Sequence, residues 1–413
     1  MIRATASTAL CVAAVTFGGC GAEPPAATTT FHAHAVKFPG GAGSAQPRLA
    51  SGPNGETVLS WLEPVEDEGV VALRYATFAG GAFSAPREVT HGEDLMVNWA
   101  DMPSVQPITK DVWAAHWLKL WPDSPGAYHI ATVVSKDGGS TWTPPVQLND
   151  DSAAAEHGFV ELFTWKDAIG ALWLDGRQLA EWSFDEPEKL LGTSLRVAQL
   201  DTSGNVIARE IVDELVCDCC QPDRAMTSSG PVVAYRDRTP EEIRDVVVRR
   251  NVDGSWQEAV ATGPDGWHIE GCPVNGPAIA AAGERVAVAW FTAAGDTPRV
   301  RFARSADGAA TFEPAVDLDG AGSFGQVGLV LGADGTASVT WWRAAAGGGT
   351  DLVLRTVALD GTLAEPRVIA HSVAAQPVDV PQLVAAGRDL LVAWTSLADD
   401  AAVHLLVVEG ATP

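Results

Sequence analysis

Short apolar runs ending in an aromatic residue recur along the chain at near-constant intervals. VLSWL carries Trp61, AAHWL Trp117, ALWLD Trp173, VVAYR Tyr235, AVAWF Trp290, SVTWW Trp341 and LVAWT Trp394. The spacings are 56, 56, 62, 55, 51 and 53 residues. Each unit repeats one internal order. A first apolar strand such as Pro277-Ala278-Ile279-Ala280 precedes the aromatic strand. A third strand alternates polar and apolar residues, most clearly at Arg299-Val300-Arg301-Phe302, and a fourth follows a turn, as at Pro314 to Leu318. Alternation with period two is the signature of a half-buried strand. No long segment has helical period, so the pattern predicts an all-β body. Units of 51–62 residues, each unable to bury its own apolar face, stack into a propeller.

The last unit stops after its third strand, near Val403–Val408, and residues 31–37 form an isolated strand ahead of the first. Supplying the missing outer strand from the N-terminus closes the ring and removes a free edge. The expectation is a single propeller of seven four-stranded blades over residues 31–413, with six blades as the alternative if one unit has been divided in two.

Residues 1–19 read as an export signal. Arg3 is followed by an apolar stretch, Ala4 to Phe17, too short to span a bilayer, and then by Gly18-Gly19-Cys20. Small residues before a cysteine resemble a bacterial lipobox, which implies lipidation of Cys20. Gly21 in place of Asp implies the outer membrane or cell surface in a Gram-negative host. Residues 20–30, rich in Ala, Pro and Thr, read as a tether.

Two turns between third and fourth strands, Ser135-Lys136-Asp137-Gly138-Gly139-Ser140-Thr141-Trp142 and Ser305-Ala306-Asp307-Gly308-Ala309-Ala310-Thr311-Phe312, resemble Asp boxes of the S-x-D-x-G-x-T-W/F type. The second has Ala309 where the pattern has Gly. Such turns mark sialidase-like (BNR-repeat) propellers. The blocks NWAD at 98–101, EHGFV at 156–160, WLDGR at 173–177, VCDCCQ at 216–221, YRDR with EIRD at 235–245 and DGWHIEGCPVNGPA at 265–278 are similar to those of bacterial exported propellers classed with exo-α-sialidases. That family uses an Arg-Ile-Pro near its first blade, three arginines on the substrate carboxylate, and a tyrosine nucleophile backed by a glutamate. This chain has no Arg-Ile-Pro; its nearest stretch is Pro47-Arg48-Leu49.

In a four-stranded meander the second-to-third loops and the blade-to-blade loops lie on one face. The chemistry-bearing residues concentrate in those loops over blades two to five. Asp101 and Asp175 are candidate general acids, Tyr235 a candidate nucleophile, and Asp237 and Glu241 further catalytic acids. Arg177, Arg224, Arg236 and Arg238 are candidate carboxylate forks, a role that suits guanidinium geometry. His157, Asp223, Trp267, His268 and Glu270 are placed to line the same mouth. Each has a plainer reading. Tyr235 occupies a position that is Trp in the other six units, as a core aromatic would. The arginines pair as readily with Asp223, Asp237, Glu241 and Asp245, and Glu156-His157 as readily bridges two blades.

Four cysteines remain beyond the signal and Cys20: Cys217, Cys219, Cys220 and Cys272. Export favours disulfides, with three pairings open. The alternative is a zinc or copper site that adds His157 or His268 to the thiolates.

Charge narrows the partners. With 27 Lys and Arg against 52 Asp and Glu, a formal charge of −25 excludes a nucleic-acid partner. The expected functions are an anchored, monomeric exo-glycosidase acting on a terminal acidic sugar of a carbohydrate or glycoconjugate, a non-catalytic carbohydrate- or protein-binding propeller, or a Cys/His metal-binding periplasmic protein. The anchor's only membrane contact would be the acyl group in the lipid bilayer.

Overall fold

The structure is a computed structural model and describes residues 32–65, 69–124, 126–181, 191–320, 322–374, 380–396 and 402–411. The expected export signal, lipidation site at Cys20 and tether lie outside the described residues. Seven antiparallel four-stranded sheets follow one another in the order read from the repeats, two of them with a fifth short strand. Blade one comprises Ala45–Ser51, Thr57–Pro64, Val71–Ala79 and Arg87–Gly92. Blade three comprises His157–Trp165, Ala168–Asp175, Thr193–Leu200 and Val206–Val216. Inner strands of successive blades lie against each other around the ring, including that of blade one against that of blade seven. Among the described residues no helix is long and apolar enough to cross a membrane.

Blade seven is completed by Ala33–Ala35, which pairs antiparallel with Ala402–Val408 in the register Ala33–Val408, His34–Val407, Ala35–Leu406. The His32 carbonyl accepts from the Glu409 amide at 2.8 Å and the Val36 amide donates to Leu405 at 3.0 Å, which extends the ladder at both ends. Deletion of residues 32–37 is expected to lower stability by roughly 2–4 kcal/mol, the sum of a few cross-strand pairs and backbone hydrogen bonds. It also bares an edge that templates self-association. Urea denaturation with light scattering on the deleted chain checks both effects.

The core is a ring of apolar layers between blades. Leu118 and Ile130 of blade two meet Val160 and Trp173 of blade three in one such layer. Trp61, Trp173, Trp290 and Trp341 are fully buried in these layers, which explains why the aromatic recurs once per blade. Each removes on the order of 150–250 Å² from water but brings an indole N–H that needs an acceptor. Trp61 donates to Glu63 at 2.9 Å, Trp173 to Asp175 at 2.9 Å and Trp341 to Asp319 at 2.6 Å. An acid two residues after the aromatic is therefore, in blades one and three, part of the packing.

The two matched turns use identical bonding. Asp137 accepts from the Thr141 amide and hydroxyl at 2.8 and 2.7 Å, and Asp307 does the same for Thr311 at 2.9 and 2.7 Å. These bonds hold both carboxyls near pKa 2. Gly139 and its counterpart Ala309 both have positive φ, 79° and 65°. A methyl at Gly139 would stand 2.5 Å from the Tyr75 hydroxyl, which donates to the Gly139 carbonyl. The turn holding Ala309 tolerates its methyl fully buried.

Candidate functional site

The inner strands surround an axial cavity of about 440 Å³. Its charged lining comes from three blades: Arg48 of blade one, Glu161 of blade three, and Asp223 with Arg224 of blade four. The inner strands of blades one, three and six each begin in a bulge around a non-glycine residue with left-handed φ: Gln46 at 57°, Phe159 at 53° and Gln326 at 57°. A bulge re-aims the residues that follow it. In blades one and three the second residue after the strained position is charged, Arg48 and Glu161, and these two side chains form an ion pair. Arg224 lies on the other side of Glu161, 4.0 Å from its carboxylate, and donates to Gln106 and to the Leu162 carbonyl at 3.1 and 2.9 Å. The Arg224 Nε is the atom that faces Glu161; it is buried and makes no hydrogen bond.

Asp101 adjoins this group. It is 1% exposed, and its carboxyl presses against Gly158. Burial raises its pKa to about 7; Glu156 and Glu161 push in the same direction, while the Phe159 amide and Arg48 oppose. Asp223 is also raised, to about 6, by burial and by Glu161, although the Ile279 and Arg224 amides donate to it. Burial works against the charge on Arg48, but Glu161, Asp223 and Asp101 more than offset it. Three carboxyl groups thus lie within electrostatic reach of one guanidinium. His116, bonded through Nδ1 to Ser104 at 2.9 Å, lies behind them; burial and Arg48 hold its pKa down at about 3, so it stays neutral.

A second group sits at the rim between blades two and three. Arg177 grips Asp175 with Nε and Nη2, both at 2.7 Å, and reaches Asp150 and Asp151 at 2.8 and 2.9 Å. Nε2 of buried His157 lies 3.1 Å from Asp151 and 3.7 Å from Asp175. Asp175 is fully buried, but its bond to Arg177, His157 and the Trp173 indole outweigh desolvation and hold its pKa low. A carboxylate held this way is a poor proton donor.

The third group joins blades four and five. Cys219 is disulfide-bonded to Cys272, with Cα atoms 6.1 Å apart, and Cys217 and Cys220 are buried thiols. Arg244 donates to the Cys217 sulfur at 3.4 Å and to Glu242 at 2.8 Å, and Arg238 pairs with Glu242 and Asp218. The hydrogen bond from Cys220 is the main reason the Cys217 pKa falls to about 6, with help from the Cys219 amide, Arg236 and Arg244; burial pushes Cys220 up. Arg236 is buried and donates to the carbonyls of Asn275, Arg244 and Phe291, with its guanidinium 4.8 Å from the Trp267 ring centre.

The residues expected to line one mouth therefore divide. Asp223 and Arg224 line the axial cavity, and Asp101 is buried beside it within electrostatic reach of Arg48 and Glu161; His157, Asp175 and Arg177 form the rim network; Arg236, Arg238 and Trp267 join the cysteine group. Tyr235 is buried between blades three and four, where its hydroxyl donates to Asp213 at 2.6 Å and burial drives its pKa upward. Asp237, close to Asp213, is raised to about 6, mainly by burial. Glu241, His268 and Glu270 are exposed. Neither His157 nor His268 joins the cysteines among the groups of metal-type donors found in the described residues. Arg48 and Glu161 escaped notice because they lie on inner strands and not in loops. Aligning the repeats exposes them as charges at a strand position that is Gly328 in blade six.

No protein-family model and no curated protein matches the sequence. Among solved structures, a protein of unknown function from Dyadobacter fermentans DSM 18053 superposes with TM-score 0.51 at 14% identity, over 91% of this chain and 97% of that one. A neuraminidase-like protein from A/bat/Guatemala/164/2009 gives TM-score 0.49 at 8% identity over 93% and 95% of the two chains. The Fusarium graminearum α-L-arabinofuranosidase Arb93A gives 0.47 at 12% identity over 89% and 93%. At these identities the likeness is one of fold, and the fold is the propeller described above.

Proposed function

We propose that the chain is a glycoside hydrolase working at the axial mouth, with Asp101 as proton donor and Glu161, ion-paired with Arg48, as the partner carboxylate. The observation that carries this reading is the gathering of Asp101, Glu161 and Asp223 around Arg48, with Asp101 held protonated to about pH 7. A protonated carboxyl group and a second carboxyl group beside it are the working parts of glycosidic cleavage. One protonates the leaving oxygen while the other supports the charge developing on the sugar. Arg224 lines the same cavity, and a guanidinium there suits a carboxylate on the terminal sugar and keeps the substrate class acidic. Arg177, Arg236 and Arg238 are occupied by protein partners and take no part in this reading.

The test uses aryl glycosides of terminal acidic sugars, sialosides and uronides, with wild type, Glu161→Gln and Arg224→Gln. Wild type is expected to turn over one of these classes. Glu161→Gln should lose at least 10²-fold in kcat, and Arg224→Gln should raise KM about tenfold or more with kcat less affected. Wild-type protein that binds an acidic sugar without cleaving any aryl glycoside reverses the reading in favour of a binding propeller.

A further inference from the structure

The arrangement of the cysteine group exceeds what one structural bridge requires. The sulfurs of Cys217, Cys219 and Cys220 lie within 4.8 Å of one another, and Cys219 is already bonded to Cys272. Cys217 and Cys220 are each 1% exposed, whereas Cys272 is at the surface. A reduced pair thus sits behind an oxidised pair that solvent reaches. Arg244 donates to the Cys217 sulfur, a contact that favours thiolate over thiol. Val274, two residues after Cys272, is held at φ 45°, an unfavourable backbone for a β-branched residue. The Asn275 that follows is fixed by its side chain to Phe324 and Gln326. Such strain persists only where surrounding contacts over-determine it, and it gathers at working sites.

We propose that these four cysteines form a dithiol–disulfide exchange site that passes disulfide bonds between the buried pair and disulfides or dithiols of other exported proteins. The Cys217 thiolate attacks the Cys219 sulfur. A Cys217–Cys219 bond forms, the Cys219–Cys272 bond breaks, and Cys272 leaves as a thiolate that takes a proton from water. Cys220 attacks Cys217 and releases Cys219, which takes the proton Cys220 gives up. The buried pair is now a disulfide and the outer pair a dithiol, with no net change in oxidation state. The outer dithiol then reduces a partner disulfide. Cys272 forms a mixed disulfide and expels one partner thiolate, and Cys219 resolves it, expelling the second and restoring Cys219–Cys272. Two electrons have moved from Cys217 and Cys220 to the partner, and an incoming dithiol resets the pair by the same steps reversed. Thiolate attack through a mixed disulfide is the general route of such exchange.

Excess oxidised glutathione serves as the probe, applied to the full folded chain without other reductant. Samples are quenched with acid, alkylated and cleaved before Asp218, which separates Cys217 from Cys219 and Cys220. Two glutathione thiols should be released per chain, with a new Cys217–Cys220 link and Cys219–Cys272 retained. Removing the outer pair (Cys219→Ser with Cys272→Ser) should slow oxidation of the buried pair at least 50-fold. Arg244→Gln, which leaves every cysteine in place, should slow it about tenfold and decides the matter if the double variant does not fold. Cys217 and Cys220 that stay thiols in folded wild type overturn the proposal. So does oxidation at the wild-type rate without the outer pair, or a stoichiometric metal ion that shields the thiols from alkylation.

Discussion

Asp101→Asn is expected to lower kcat on acidic-sugar glycosides with poor leaving groups by 10²–10⁴, the usual worth of a general acid. Glycosides with activated aryl leaving groups, which need little protonation, should lose much less. Because the acid must be protonated, wild-type activity should fall as pH rises through about 7, and the variant should lack that limb. The same substitution should stabilise the fold. Unfolded Asp101 ionises near pH 4, whereas the folded carboxyl keeps its proton to about pH 7. The unfolded state therefore binds fewer protons across that window, and stability drains away as pH rises from 4 to 7. Integrated over about three pH units this amounts to up to about 4 kcal/mol, fully lost above pH 7. An asparagine has no charge to bury, so Asp101→Asn should unfold at higher urea than wild type at pH 8, with the gap closing toward pH 4. Lower activity with higher stability is the expected pair of results; unchanged kcat on every leaving group removes Asp101 from the mechanism.

Arg236→Ala should destabilise by about 3–5 kcal/mol, the range for stripping one partner from a buried charged network. The cost comes from the carbonyls of Asn275, Arg244 and Phe291, which lose their donor in a water-free site, and from Trp267, which loses the guanidinium on its face. Arg236→Lys should recover only part of this, because an ammonium cannot span three acceptors set in the plane of a fork. Urea midpoints measure the loss. Activity per folded molecule should change by less than threefold, the opposite of Arg224→Gln, so the pair separates an arginine that holds the blades from one that faces substrate.

The contrast between these two arginines shows what could be read from the chain. Both lie in or beside loops of the same face, and both carry a group suited to carboxylates. What differs is the partner each side chain meets: Arg224 reaches Gln106 and Leu162 of blades two and three, Arg236 the carbonyls of Asn275 and Phe291, and such distant contacts are absent from local spacing. The blade count, by contrast, was legible because one aromatic per blade must fill the layer between neighbours, as Trp61 and Trp341 do. The closing strand was legible because blade seven lacked an edge. Arg48 and Glu161 were hidden by convention more than by physics: inner strands read as apolar walls, and a charge there becomes visible only when blades are laid over one another. The bulges at Gln46 and Phe159, which turn those charges toward the axis, leave no mark in the sequence, since neither residue is a glycine.

The strand that completes blade seven also fixes an order of events. Ala33–Ala35 is among the first of the described segments to be synthesised, and its partner, Ala402–Val408, is among the last. Blades one to six can form from contacts close in sequence as the chain emerges, but the ring cannot be sealed until the final segment is made. Native contacts of such wide separation form late and slowly. Until then the arc presents two bare blade faces and an unpaired edge, surfaces that invite aggregation. A premature stop before residue 402 thus yields an open arc exposed to quality-control proteases, not a smaller propeller.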